Sequence, residues 1–557
     1  MLPPVNDVAP QIYAPPSNTK PPPGFAASAN QAIAIAEQVP EVRSARKHHP
    51  ALRGHAYISP LRLASGSFYH WDIYFQNGTG PTLVEVESDP AGRPLELQTA
   101  PDVGWPLLRG YPGVLGGRLN APWIWLPLCL LFIVPFVDPR RPRRLLHLDL
   151  LVLLGFGVSQ VYFTRGEPDI SVPLVYPFLA YVVIRALVAA YRPRRRSGPL
   201  IPYAPTWLLT AGIIVLVGLR VAFGLADSST FDISSAGVIG ADRIEHGLQL
   251  YEDNKYHGDT YGPVNYLMYV PFELIWPYRA GGDVGPAARP ATLCFDLLTM
   301  FGLFLLGRRM RAGPGGKRLG VALAYAWAAL PYTGLVIAAN TNDALVPLFI
   351  VYALVFLRSP PLRGALAGLG SMAKFAPAAL APLLIAGHRR LSLRTALIGG
   401  GAYLLVVAAL IWAFLPDGGL REFWNTTIGF QIHRTSPLSL WVRTPALDWM
   451  RPIFSGLAVL LAVAAAFAPR RRTTGQVAAL CAAILAALQI PANYWLYFYV
   501  VWFAPFLLVA LFEEHAELGP RSQERVTSDL VKPLMISQPS SVTATRSSMR
   551  TPSRSGR

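Results

Sequence analysis

Long apolar runs separated by short arginine-rich stretches dominate the chain from residue 121 to residue 512. They fall near 121–137, 147–163, 172–191, 206–225, 288–307, 318–338, 343–358, 394–415, 450–468, 475–490 and 493–512. Most hold roughly 17 to 24 residues, enough helix to cross a hydrocarbon core. Two further apolar pieces are interrupted: 263–277 by Pro263, Pro271 and Pro277, and 363–387 by Lys374 and Pro377. The pattern predicts a polytopic α-helical membrane protein with about 13 membrane segments.

Ahead of residue 121 the period changes. Residues 1–23 are Pro-rich without an apolar core and read as a disordered tail. Residues 24–115 carry one helical pattern, SANQAIAIAEQVPEV, with Ser28 placed to cap it. HAYISP, SFYHWDIYFQ, PTLVEVES and RPLELQTA follow as short strands, with NGTG and DPAG as turns. A helix followed by an antiparallel sheet makes a small N-terminal α+β soluble domain, which resembles PepSY or cystatin-like modules. Three additional transmembrane helices are expected over 121–191, ahead of a transmembrane module over 206–512. The Ser/Thr/Arg-rich stretch 513–557 reads as a disordered cytoplasmic tail.

Composition agrees with a membrane protein. The 557 residues are 52% hydrophobic and 15% charged, with a mean hydropathy of +0.35, where a soluble domain carries about 25% charge. The net charge of +17 comes largely from arginines in short loops, not from a basic face on a soluble module, so nucleic acid is not an expected partner. DPRRPRRLLH (138–147), YRPRRRSG (191–198), GRRMRAGPGGKR (307–318), LRSPPLR (357–363), GHRRLSLR (387–394) and APRRRTTG (468–475) are all expected to face the cytoplasm. That parity puts 226–287 and the N-terminal domain outside, in the cell membrane's extracytoplasmic space. It also makes 263–277 a re-entrant or interfacial piece and 363–387 a hairpin with Lys374 near its tip. Cys129, Cys294 and Cys481 lie inside apolar runs and read as packing residues. No metal-ligand cluster and no cofactor motif stands out.

Polar groups then gather on the outer face. The loop 226–262 holds Asp227, Asp232, Asp242, Glu245, Glu252, Asp253 and Asp259. NTND (Asn340 to Asp343) joins two spans, EFWNTTIGFQIHRTSPLSLW carries His433 and Arg434, and PANYWLYFY opens the last span. Each also has a plain reading. Loop acids are commonly solvated, Asn340–Asp343 can cap a helix, Lys374 can snorkel, and aromatics at a span end form an interfacial belt.

The order of these pieces resembles the GT-C superfamily of integral-membrane glycosyltransferases, and within it glycosyltransferase family 87. The likeness rests on FDISSAGVIGADRIEHGLQLY, YGPVNYLMYVP, NTNDALVPLFIVYALVF, LAGLGSMAKFAPAALAPLLI and RTSPLSLW, within about 206–512. Tyr261-Gly262-Pro263-Val264 lacks the customary second proline. The resemblance implies a polyprenyl-phosphate sugar as donor, mannose favoured, and an envelope lipid or glycan as acceptor. It implies Asp232 as catalytic carboxylate, with Asp227 in reserve, and inversion at the anomeric carbon. Lys374 and Arg434 are the candidates to meet the departing phosphate. Tyr251, Tyr261, Asn342, Asp343 and His433 complete the substrate-binding set, and neither metal nor cofactor is required. A lipid or solute transporter, which would show internal repeats, and a sensor or scaffold using the N-terminal domain are the alternatives.

Overall fold

The computed structural model describes residues 13–63, 66–78, 82–100, 108, 115–193, 198–226, 231–251, 260–279, 283–434 and 436–515. The N-terminal region forms α1 (Ala29–Ala36) and α2 (Pro40–His48), then strands β1 (Leu52–Leu63), β2 (Gly66–Asn77), β3 (Thr82–Ser88) and β4 (Pro94–Thr99). Ser28 and Gln31 cap α1 reciprocally. Pro40, at the first position of α2, splits the single expected helix in two. The strands pair antiparallel in the order β1-β2-β3-β4. Strand alternation sends Trp71, Ile73, Phe75, Val84 and Val86 into one core with Ala29, Ala32 and Val42. On the opposite face His70, Asp72, Glu85 and Glu87 are also buried. Burial first, then the Glu85 carboxylate, push Asp72 up to about 8.

The rest is helical. In chain order it comprises α3 (Pro122–Ile133), α4 (Leu145–Thr164), α5 (Pro168–Tyr191), α6 (Thr206–Ala226), α7 (Asp232–Glu245), α8 (Pro263–Leu267), α9 (Val270–Glu273), α10 (Gly285–Met310), α11 (Gly313–Ala329), α12 (Pro331–Ala338), α13 (Leu345–Val355), α14 (Pro360–Ala373) and α15 (Ala381–Ala386). Helical stretches Leu393–Ala413, Pro445–Ala464, Thr474–Gln489 and Tyr497–Glu513 follow. Among the described residues six helices are long and apolar enough to cross a membrane, or seven if α11 and α12, bent by 54°, count as one span. The remaining apolar runs form shorter helices than the thirteen-segment reading assumes.

Burial explains part of that difference. Thr474–Gln489 is rich in alanine and is buried along almost its whole length, as is Val500–Glu513. Small side chains let neighbouring helices approach closely, so these runs pack against protein. By contrast Leu393–Ala413 turns Leu404, Leu405 and Trp412 outward, as a lipid-facing helix does. Periodicity alone does not separate the two situations, because both helices are apolar all round.

Two local devices position the site. Pro331 has no N–H to offer the carbonyl of Trp327, and the helix bends there. Arg220 of α6 reaches that bend: Nη2 donates to the Trp327 and Ala328 carbonyls at 3.1 and 2.7 Å, and Nη1 pairs with Asp296 of α10 at 2.6 Å. Three helices are thereby clamped just ahead of α7. Second, 363–387 doubles back. Arg363 of α14 donates to the Ile385 carbonyl at the end of α15 at 2.8 Å, so the two ends lie side by side with Lys374 between the arms. The segment 263–277 forms only α8 and α9, of five and four residues; neither is long enough to cross a bilayer.

Candidate active site

The NTND turn is the anchor. Asn340 follows α12 in the left-handed region, φ +50°, where asparagine is among the few non-glycine residues tolerated. Asn342–Ala344 then form one 3-10 turn leading into α13, and no side chain caps it. Asn340, Thr341, Asn342 and Asp343 are all buried. The capping role open to them in the sequence is therefore not the one they take.

Asp343 is instead half of a buried ion pair. Its Oδ1 accepts from Lys374 Nζ at 2.6 Å and from Trp502 Nε1 at 2.9 Å. Lys374 is 6% exposed and Asp343 0%. α14 breaks at Lys374, whose backbone is extended (φ −139°, ψ 141°), which frees the side chain from the helix surface. Its ammonium lies 5.6 Å from the Tyr261 ring centroid, 5.9 Å from Tyr499 and 5.1 Å from Trp502, an aromatic wall of cation–π contacts. The snorkelling reading of Lys374 does not hold: its charge is turned inward, toward Asp343.

Tyr261 is held from both sides. Its N–H donates to Tyr266 Oη at 3.1 Å, and its carbonyl accepts from Tyr251 Oη at 2.8 Å. Tyr251 is itself buried, edge-on to Phe423 at 5.0 Å, so its hydroxyl serves the Tyr261 backbone. Next to it, Gly262 lies against α14 so closely that an added Cβ would meet the Met372 carbonyl at 2.1 Å. Neither partner is a flexible side chain. Gly262→Ala is expected to push α8 off α14, misplace Tyr261 and remove turnover. Turnover and detergent-resistant folding of the purified variant, measured together, check this; wild-type values for both would contradict it. One turn further on, Asn265 Oδ1 accepts from Asn342 Nδ2 at 2.6 Å, joining α8 to the NTND turn.

The start of α7 abuts the same turn. Ser234 Oγ donates to the Asn340 carbonyl, and the Phe231 ring meets Phe498 edge-on at 5.7 Å. Asp232, the first residue of α7, therefore has its backbone between the NTND turn and the aromatic segment 497–499. Its side chain lies outside the described part of the structure, and Asp227 lies outside the described residues altogether. Gly240, on the same helix, makes room for Tyr266, whose ring atoms would sit 2.2 Å from an added Cβ.

Arg434 reaches the cluster through aromatics. Its guanidinium stands 4.2 Å from the Tyr494 ring centroid. Tyr494 is 6.3 Å from Tyr499, which is 4.4 Å from Trp502. Asn493 Nδ2 ties this segment to the outer loop through the Ile432 carbonyl at 2.7 Å. His433 ends the helix Phe430–His433 and is exposed. Tyr261, Asn342, Asp343 and Lys374 thus come together around one point, with the start of α7 beside them and Arg434 at the edge.

Two members of the cluster escape a sequence reading. Trp502 looks like one more apolar residue of the last span, although its spacing of three from Tyr499 places both on one helix face. Asn265 is a single amide inside an apolar run, where an unpartnered polar group is costly, and that was the available signal.

The class of protein these helices carry is set by comparison. Residues 260–492 match the model of glycosyltransferase family 87. The protein is a membrane glycosyltransferase, consistent with a GT-C-like enzyme. The matched region holds Tyr261, Asn265, the NTND turn, Lys374 and Arg434; α7, Tyr499 and Trp502 lie outside it. No curated protein matches the chain.

Proposed function

We propose that this glycosyltransferase moves a hexose, mannose favoured, from a polyprenyl-phosphate donor to an envelope lipid or glycan acceptor at the outer face of the cell membrane. The observation that carries the reading is the buried Asp343–Lys374 pair, walled by Tyr261, Tyr499 and Trp502 and adjoining the start of α7. A sugar already on phosphate needs no further activation of its leaving group. The acceptor oxygen attacks the anomeric carbon, the bond from that carbon to the phosphate oxygen breaks, and the acceptor proton passes to Asp232. A single displacement of this kind inverts the anomeric centre. Lys374, fixed by Asp343 and Trp502, and Arg434, stacked on Tyr494, supply positive charge for the departing phosphate; the guanidinium is suited to bidentate contact. Aspartate's ordinary pKa of about 3.9 makes it a weak base, so proton transfer comes late, when the attacking hydroxyl has become acidic.

Topology is part of the proposal and is tested separately. Tyr256→Cys and Arg196→Cys are expected to label from opposite sides with an impermeant thiol reagent, and equal labelling contradicts it. The function itself is tested by incubating purified protein with radiolabelled polyprenyl-phosphate sugars and a cell-envelope lipid extract. Transfer to a lipid or glycan product from one such donor supports the reading. Use of a nucleotide sugar in place of every polyprenyl-phosphate sugar overturns it.

A further inference from the structure

We propose that the N-terminal domain carries a structural divalent-metal site formed by His70, Asp72, Glu85 and Glu87, suited to a cation such as Mn2+ or Zn2+. Two strands make it. His70 and Asp72 are two residues apart on β2 and so share a face. Cross-strand pairing sets Glu87 opposite Asp72, and Glu85 opposite Tyr74 one step along. One carboxylate oxygen each from Asp72, Glu85 and Glu87 lies within 4.8 Å of the other two. Ligands on opposite sides of an ion bound at about 2.1 Å are about 4.2 Å apart, so one ion can span the three.

The second observation is His70. It is 1% exposed, and neither ring nitrogen has a hydrogen-bond partner among the described residues. A buried imidazole without a partner is costly. Its Nε2 stands 3.6 Å from Glu87 Oε1, too far for a hydrogen bond. Neighbouring ligands of a tetrahedral ion are about 3.3 Å apart; the three carboxylates already lie within 4.8 Å of one another, and His70, next to Glu87 but outside that group, joins them by a movement of its side chain toward the ion. Tyr74 donates to Asp72 Oδ2 at 2.7 Å, while Asp72 Oδ1 is buried with no partner among the described residues. The tyrosine thus orients the carboxylate, as outer partners of metal ligands commonly do.

Charge favours the same conclusion. Three carboxylates share one buried patch, and packing like-charged groups together away from water is costly. A divalent cation offsets that cost. Imidazole plus carboxylates fits Mn2+ or Zn2+ better than a purely oxygen-binding ion. Because all four side chains are buried, the site has the closed character of a structural ion rather than a catalytic one. The sheet face that holds it is opposite the helix-packed core, and it contains none of the glycosyltransferase residues.

The full-length protein, purified in detergent and stripped with EDTA, is dialysed against Mn2+ or Zn2+ and its metal content measured. Wild type is expected to retain about one ion per chain more than Asp72→Asn and Glu87→Gln, with affinity at least about tenfold lower in each variant. Asp72→Asn keeps the side-chain volume and removes an ionisable ligand, so it reports even if Glu87→Gln fails to fold. In Mn2+-loaded protein, pulsed EPR is expected to show nitrogen coupling that disappears in His70→Ala. Equal metal retention in wild type and Asp72→Asn, or nitrogen coupling that survives His70→Ala, overturns the proposal. An unchanged melting temperature when metal is added to stripped wild type also overturns it, and leaves a buried acid patch only.

Discussion

Asp232→Asn is expected to lower turnover by roughly 10² to 10⁴, the usual worth of a general base. Asparagine keeps the shape of the side chain and cannot take the acceptor proton. Asp232 is the first residue of α7, beside a turn that the Ser234–Asn340 contact and the Phe231–Phe498 contact both hold. The substitution leaves those contacts intact. A carboxylate at a helix N-terminus contributes about 0.3 to 1 kcal/mol, so loss of the charge at this backbone position is expected to cost little. Stability and donor binding are therefore expected to stay near wild type while turnover falls. Asp227→Asn is expected to do much less. Product formation by the two purified variants, measured beside donor binding and thermal unfolding, decides the matter. Near-normal turnover in Asp232→Asn, or a larger loss in Asp227→Asn, moves the base elsewhere in the loop.

Lys374→Ala is expected to destabilise the protein by about 3 to 5 kcal/mol, the typical result of leaving one partner of a buried ion pair uncompensated. The sequence reading made Lys374 a candidate to meet the departing phosphate. That reading took the lysine's anion to be the substrate phosphate; in the structure Asp343 already stands 2.6 Å away. The roles separate in a double variant. Lys374→Met with Asp343→Asn removes both charges and is expected to regain much of the lost stability. If Lys374 also meets the donor phosphate, the double variant stays inactive despite folding. Thermal unfolding and turnover of the single and double variants check both halves. A Lys374→Ala variant that melts like wild type contradicts the buried pair, and a double variant with wild-type turnover removes Lys374 from the phosphate site.

The helical, membrane-embedded character of the chain was legible because it depends on composition and on run length, both one-dimensional quantities. The strands of the N-terminal domain were legible for a similar reason: alternation of period two is written into SFYHWDIYFQ and PTLVEVES. The break at Lys374 and the fragmented 263–277 piece followed from lysine and proline inside apolar runs. The glycosyltransferase class followed from the order of short motifs, and the match over 260–492 agrees with it.

What the chain by itself determined, then, was local: which stretches are helices or strands, and which are apolar. Tertiary structure decided the pairings. Lys374 and Asp343 are 31 residues apart, and only the packing of α14 beside α13 and the last helix brings charge to charge. The same packing turns Trp502 toward Asp343 rather than toward lipid. In the N-terminal domain, period two puts His70 and Asp72 on one face, but the β2–β3 register sets Glu87 opposite Asp72. A slip of one residue would have sent the acids into the apolar core face. Period and face are properties of a segment, whereas a partner is a property of two segments packed together, and the energy that selects it exists only once both are in place.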